Sequence, residues 1–451
     1  MDDGKTVDVA RLIDDQPIRL FHINLVVLLF LFMIADGYDL QAMGFAAPGI
    51  VKMLHIDRAA LGPVFSASLV GLLVGAPLFG WVGDRFGRRP ALIGGLVIFG
   101  LLSFATAFAH SQPELLVLRF LTGIGLGGVP ANSVALVAEY APRRVRATMI
   151  VTAQVGLTFG SMLPAVASGF LESAYGWRPL FLIGGVAPLL IGAFGLFALP
   201  ESLRFMVLKR WPAARIKRMA GALDSRLASE AGLMLSAPPA SSSGRQWLGL
   251  KALFADGLTW ITPLIWVLYI TFLAANYFLH SWMPILFRDE GLTITQTAVT
   301  AAMFDVGGIV GALAASRLVD RFGVASIVAF YLVACPAIGL IGLIGHSLLL
   351  LGAAIFVAGF CLVGITLSTG AVAGVLYPTE ARAYGIGWAY AFGRFASILS
   401  PVVGGWLIGM KLPISQLFLA PVAPMIVGAV ACFVLMRLCI QRFGGARLSA
   451  G

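Results

Sequence analysis

Gly71–Pro90 reads GLLVGAPLFGWVGDRFGRRP, and Gly307–Ser326 reads GGIVGALAASRLVDRFGVAS. Laid over each other without a gap, they agree at eight positions: Gly71, Val74, Gly75, Ala76, Asp84, Arg85, Phe86 and Gly87. The same offset carries Pro142, Arg146 and Ala147 onto Pro378, Arg382 and Ala383. Two separate matches at one offset mark a duplicated unit.

Both copies lie in apolar surroundings. Of 451 residues, 59% are hydrophobic and 12% charged, with mean hydropathy +0.94. A soluble domain carries roughly twice that share of charge. Apolar runs of about 20 residues recur, each long enough to cross a hydrocarbon layer about 30 Å thick. Twelve spans are expected, at 22–50, 60–82, 90–109, 114–138, 147–172, 178–199, 258–287, 295–317, 325–345, 349–376, 384–409 and 414–438. The expected fold is all-α and polytopic, with twelve transmembrane helices in two pseudo-symmetric six-helix bundles. Its parts are an N-terminal tail (1–21), a first bundle (22–200), a central linker (201–256), a second bundle (257–438) and a C-terminal tail (439–451). Ala-Pro-Pro-Ala-Ser-Ser-Ser-Gly at 237–244 marks the linker as flexible. Parallel repeats of this kind are a transporter architecture, with substrate bound between the halves near the midplane.

Composition excludes a disulfide scaffold, a nucleic-acid-binding domain and a disordered chain. Cys335, Cys361, Cys432 and Cys439 show no CxxC spacing, and the five histidines form no HExxH. No metal, cofactor or catalytic constellation is expected. Met1–Arg19 is polar and acidic, without the pattern of a signal peptide. If both termini are cytoplasmic, inside segments carry 24 of the 31 Lys and Arg. Outside loops then carry five: Lys52, Arg58, Arg178, Arg288 and Lys411. That asymmetry predicts inside termini, and it assigns the net charge of +10 to membrane topology rather than to nucleic acid.

Deep ionisable residues are the sharpest functional signal, because each costs at least about 2.5–3.5 kcal/mol at the bilayer centre. Asp36 and Asp39 in span 1, Arg119 in span 4, Asp305 in span 8 and Arg394 in span 11 qualify. Asp36 and Asp39 are three residues apart on one helix face. Close carboxylates resist double ionisation, which suits a proton carrier; the plainer reading is a structural pair neutralised by Arg119. Arg119 and Asp39 are expected at similar depth. Arg394 offers a planar fork that fits a carboxylate, unless it is permanently bridged to Asp305. Asp305 is read as a further proton-coupling residue.

Span 7 offers Asn276, Tyr277 and His280 for an aromatic ring with a polar substituent. Tyr38 and Trp388 complete the candidate substrate contacts. Asp84, Arg85 and Arg88 between spans 2 and 3 suit a clasp that breaks and reforms. Asp320 and Arg321 repeat it, more weakly, because Val324 and Ala325 replace the trailing arginines. Glu139, before Arg143, Arg144 and Arg146, is a local ion pair or a gate element. Glu380 and Arg382 are gating candidates in the second half. Gly123, Gly125, Gly127 and Gly128 are expected to let helices pack closely.

These residues resemble the major facilitator superfamily, and within it the aromatic acid:H⁺ symporter family. The resemblance rests on Asp36-Gly37-Tyr38-Asp39, GDRFGRR at 83–89, Pro200-Glu201-Ser202 and YPTEARAYGIGWAYAFGR at 377–394. It covers about Val7 to Arg437. It implies the major facilitator fold and proton-coupled uptake of an aromatic carboxylate across a bacterial inner membrane; a monomer in the lipid bilayer is expected. It also implies transport roles for Asp36 and Asp39, a conformational role for Asp84, and roles for Arg119, Glu139 and Arg394. Asp305 departs from the family, where an amide is expected. Other readings are a proton symporter for a sugar or aliphatic acid, and a transporter-like receptor.

Overall fold

The computed structural model describes residues 6–223, 234–236, 253–255, 258–345, 347–378 and 381–443. Glu380 and the 237–244 stretch lie outside the described residues. Among the described residues, twelve helices are long and apolar enough to cross a membrane. Spans 1–6 are Leu20–Leu54, Arg58–Phe86, Arg88–Thr106, Gln112–Tyr140, Arg146–Tyr175 and Arg178–Ala198. Spans 7–12 are Ile261–Asp289, Ile294–Phe322, Val324–Ile341, Leu348–Leu376, Tyr384–Gly409 and Ile414–Gln441.

Helices satisfy every backbone group internally, as a bilayer requires, and tolerate internal prolines such as Pro48, Pro164, Pro284 and Pro401. Large apolar side chains point outward: Phe197 is 89% exposed, which water would penalise and lipid does not. Helix starts follow local chemistry. Ser111 caps Glu114 N–H, and Thr293 and Gln296 form a reciprocal capping box.

The duplication is visible in the packing. Span 1 packs on span 5, 2 on 4 and 3 on 6; in the same way span 7 packs on 11, 8 on 10 and 9 on 12. Gly71 and Gly75 lie against the carbonyls of Phe120 and Ile124, and Gly307 and Gly311 against those of Phe356 and Phe360. Gly123 meets the carbonyl of Ser68 as Gly359 meets that of Phe304. Every one of these pairs obeys the sequence offset. A Cβ at any of them would collide with backbone, so the small-residue rows set the helix spacing. Span 4 is broken at Gly128, whose neighbour is the Phe79 ring.

We call the end bearing His55 and Gly291 the outer end, following the charge asymmetry. The halves meet there and at the midplane. Spans 2 and 11 approach through Gly62 and Gly405, and Ser66 Oγ donates to the Ile398 carbonyl at 2.6 Å. Phe65 packs edge-on to Trp282 at 5.2 Å, and Trp282 Nε1 donates to the Pro401 carbonyl. Arg58 and Asp289 form an ion pair of 2.6 Å. Gly44 of span 1 lies against the His280 carbonyl of span 7. The outer end is therefore closed.

Segments expected as tail and linker carry structure. Val9–Asp14 is helical, with Val9, Leu12 and Ile13 buried. Thr6–Asp8 pairs in parallel with Met234–Ser236. Leu203–Leu208 and Ala213–Leu223 are short helices. The last helix runs to Phe443, past the expected end at 438.

Candidate functional site

Span 1 places Asp36 and Asp39 near the midplane, in different surroundings. Asp39 accepts from Arg119 in two bonds, Nη1 to Oδ1 at 2.8 Å and Nη2 to Oδ2 at 2.5 Å. Ser103 Oγ adds a third at 3.3 Å, and the Arg119 guanidinium lies over the Phe181 ring at 5.6 Å. Both charges are buried within the first half. Asp36 is also buried, yet among the described residues its carboxyl forms no hydrogen bond. It lies within Coulombic range of Asp39 and of Arg394 across the boundary between halves. The shared helix face holds, but only Asp39 has the arginine.

The alternative reading, a permanent Asp305–Arg394 bridge, does not hold among the described residues. Arg394 Nη1 donates to Tyr277 Oη at 2.8 Å, and Nη2 to Tyr390 Oη at 2.9 Å. The guanidinium is 5.0 Å from the Tyr390 ring centre and 5.9 Å from that of Tyr277. Two neutral hydroxyls thus orient the fork, while its charge meets an acidic group only at a distance. Asp305 belongs to the contact of spans 5 and 8. Its Oδ1 lies 2.8 Å from Ser161 Oγ, which is also 2.8 Å from the Thr158 carbonyl.

Tyr277 joins Arg394; other substrate candidates do not. Tyr38 turns to span 6, donating to the Leu180 carbonyl at 2.9 Å, and lines an apolar recess of about 410 Å³ with Leu163 and Phe170. The Trp388 ring lies 6.0 Å from that of Phe392, which stacks on Trp266. His280 packs edge-on to Phe304 at 4.8 Å, with its Nδ1 buried and unbonded among the described residues. Asn276 is half-buried on span 7.

The basic motif at the inner end works within its own half. Arg88 bonds Asp84 at 2.7 Å, Asn132 at 3.3 Å and Glu139 at 3.5 Å. Glu201 accepts from the backbone N–H of Arg88 at 2.8 Å and of Ser202 at 2.9 Å, so it caps span 3. Gly87, at φ 113°, lies against that carboxylate. Burial pushes the Glu201 carboxyl above its ordinary value, opposed by bonds from Ser202, Arg89 and Arg88. Arg85 is exposed over Trp81 and Phe86.

Glu139 pairs with Arg88, not with the arginines that follow it. Arg143 and Arg146 reach Asp14, and Arg144 donates to the Gln16 carbonyl. In the second half, Asp320 is exposed and Arg321 lies over Phe322. Gly323 repeats the positive φ of Gly87, but Val324 supplies no counterpart to Arg88. Arg382 is exposed.

Sequence reasoning missed Tyr390, Ser103, Ser161, Asn132, Asp14 and the capping role of Glu201. Tyr390 was the most findable, four residues from Arg394 on the same helix face.

The chain matches the model described as Major Facilitator Superfamily over residues 28–344. It is 34% identical over 432 residues to the 4-hydroxybenzoate transporter PcaK of Pseudomonas putida, covering 96% of each chain. It is 36% identical over 413 residues to a gallate transporter of the same species, covering 91% of each. Among solved structures it resembles a bacterial homologue of the human lysosomal transporter Spinster, inward-facing and unoccupied. The TM-score there is 0.71 at 17% identity, covering 96% of this chain and 100% of that one. With twelve membrane-crossing helices in two matching halves and these relatives along nearly its whole length, the chain is a multi-pass membrane protein and belongs to the Major Facilitator Superfamily.

Proposed function

We propose that the protein imports an aromatic carboxylate together with protons, by alternating access across a bacterial inner membrane. The observation that carries this reading is the setting of Arg394. Its fork is aimed by Tyr277 and Tyr390, forms no ion pair among the described residues, and lies between aromatic rings where the halves meet. A carboxylate takes the two-bond fork, and an attached ring packs on the tyrosines. Asn276, His280 and Trp388 line the approach on spans 7 and 11; Arg119 acts indirectly, by holding Asp39.

Asp36 faces Arg394 from the other half. An incoming anion adds negative charge beside it, so a proton on Asp36 removes the repulsion. Asp39 sets the field that Asp36 feels, and Asp305 is a further coupling carboxyl. The inner-end cluster of Asp84, Arg85, Arg88 and Glu139, with Asp320, Arg321, Glu380 and Arg382 of the second half, is the gate that reforms when the inner end closes. The halves are 22–200 and 257–438; the tails and the 201–256 segment are cytoplasmic. The names of the two relatives, transporters of 4-hydroxybenzoate and of gallate, agree with this substrate class.

The test is uptake of labelled 4-hydroxybenzoate into proteoliposomes under an imposed pH gradient, competed by other aromatic acids, aliphatic acids and sugars. Each pH unit supplies about 1.4 kcal/mol per proton. Accumulation that a protonophore leaves undiminished, or that a sugar competes as well as an aromatic acid does, overturns the reading.

A further inference from the structure

Among the contacts that join the halves are two seams, span 2 to 11 and span 5 to 8, and each has one serine hydroxyl bonded across it. In the first, Ser66 Oγ donates to a backbone carbonyl, that of Ile398. In the second, Ser161 Oγ meets the carboxyl of Asp305. The repeat carries span 2 onto 8 and span 5 onto 11, but it sets Leu69 opposite Asp305 and Ser397 opposite Ser161, so the carboxyl contact has no counterpart in the first seam.

Ser161 Oγ has two oxygen neighbours at 2.8 Å, the Thr158 carbonyl and Asp305 Oδ1. A serine hydroxyl has one proton to donate and two lone pairs. The Thr158 carbonyl can only accept. If Ser161 donates to it, the contact with Asp305 needs a proton from the carboxyl. If Asp305 is ionised instead, the one serine proton must serve two acceptors, either shared between them or withdrawn from the Thr158 carbonyl. Each contact is a full, unshared hydrogen bond only when Asp305 is protonated.

We propose that Asp305 carries a proton in this outer-closed conformation, and that Ser161 is the positioning residue that couples that proton to closure of the seam between spans 5 and 8. The inference deepens the proton-coupled reading above and rests on it for its role in transport.

The neighbours of Asp305 agree. It is 5% exposed. Span 10 has no charged residue, and span 9 offers only Tyr331 and Cys335 as titratable groups. On span 7, His280 packs on the adjacent Phe304. On span 5 the nearest carboxylate is Glu172, at the outer end and bonded to Ser168. No basic residue among those described pairs with Asp305. A buried carboxylate held by one neutral donor is costly, so loss of the proton favours opening the seam to water.

The proton balance is simple. With the outer end open, the Asp305 carboxylate takes a proton from water. As the seam closes, its O–H donates to Ser161 Oγ, and the serine O–H turns to the Thr158 carbonyl. When the seam next admits water, the proton leaves to water and the serine O–H is free again.

The experiment has two arms. Infrared spectroscopy of the purified full-length protein at neutral pH reads protonated carboxyls through their carbonyl stretch. A band lost in Asp305→Asn, and shifted upward in Ser161→Ala because alanine accepts no bond, is the expected result. A band absent from the Asp305→Asn difference spectrum, or unmoved in Ser161→Ala, overturns the proposal. In the second arm, uptake at a gradient of one pH unit should accumulate about tenfold less substrate per uncoupled proton in Asp305→Asn, while substrate exchange persists. Ser161→Ala should lower the accumulation ratio in the same direction and keep exchange. Unchanged accumulation in both variants, beside a wild type that responds to the gradient, overturns the coupling. A wild type that ignores the gradient sinks the proton-coupled reading instead, and the infrared arm still decides whether Asp305 is protonated.

Discussion

Asp39 and Arg119 face each other through two hydrogen bonds of 2.8 and 2.5 Å, while Asp36, one helical turn away, has no such partner among the described residues. Removing one member of a buried pair strands the other charge, at roughly 3–5 kcal/mol. Arg119→Ala should therefore lower the yield and thermal midpoint of the folded protein sharply. Asp36→Asn strands no partner charge, so it should destabilise less than Arg119→Ala and show its effect in proton-driven uptake. Thermal unfolding in detergent compares the two. Equal destabilisation would make both aspartates structural.

Arg394→Lys keeps the charge but loses the fork and its two tyrosine bonds. Loss of one charged hydrogen bond costs roughly 1.5–3 kcal/mol, so affinity for the acid should fall about ten- to a hundredfold. Affinity for the uncharged amide of the same acid should change little. Calorimetric titration of both ligands reads the difference; equal weakening would place carboxylate recognition elsewhere. Tyr390→Phe, which frees one Nη without moving the charge, should give a smaller loss in the same direction.

The inner-end clasp depends on backbone geometry. Gly87 sits at φ 113°, where an L side chain is strained, and its Cβ would meet the Glu201 carboxylate. Gly87→Ala should destabilise the first half more than Glu201→Ala, which removes a helix cap at about 1–2 kcal/mol. Glu201 also gives a pH test. Its carboxyl is raised in the folded chain by burial, so folding holds a proton there that the unfolded chain has released. Stability of wild type relative to Glu201→Gln should fall as pH rises from the ordinary carboxylate value to the raised one, and be flat below it. Thermal midpoints across that range check the sign.

The architecture was legible because a bilayer forces long apolar helices and because the Gly71 and Gly307 repeats could be compared directly. The matching depth of Asp39 and Arg119 was legible too, since rise per residue is fixed. Partners were harder. Asp39 and Arg119 share a depth and did pair. Asp305 and Arg394 were expected at one depth too, yet lie on different neighbours, because rotation of each helix about its axis depends on packing that no periodicity encodes. Ser161 and Tyr390 carry no signal by residue type, being common inside membrane helices. Asp14 was unreadable for another reason: its partners are more than a hundred positions away, in a loop whose arginines satisfy the inside-charge rule equally well without it.

The outer end offers a test of alternating access itself. Arg58 and Asp289 bridge the halves at 2.6 Å with partly exposed side chains. A pair of this kind contributes about 0–1 kcal/mol, so it biases the conformational equilibrium by up to about fivefold rather than locking it. Ser66 lies behind it, buried in the seam with span 11. In a background lacking the four native cysteines, Ser66→Cys should label slowly with a membrane-impermeant maleimide applied from outside. Adding Arg58→Gln should raise the labelling rate by up to that factor, and raised salt should shrink the gap between the two backgrounds by screening the intact pair. Exchanging the charges, Arg58→Asp with Asp289→Arg, should restore the slow rate, which a purely local loss of packing cannot explain. Labelling equally fast with and without the ion pair would show that Trp282, Phe65 and the Gly62–Gly405 approach alone hold the outer end closed.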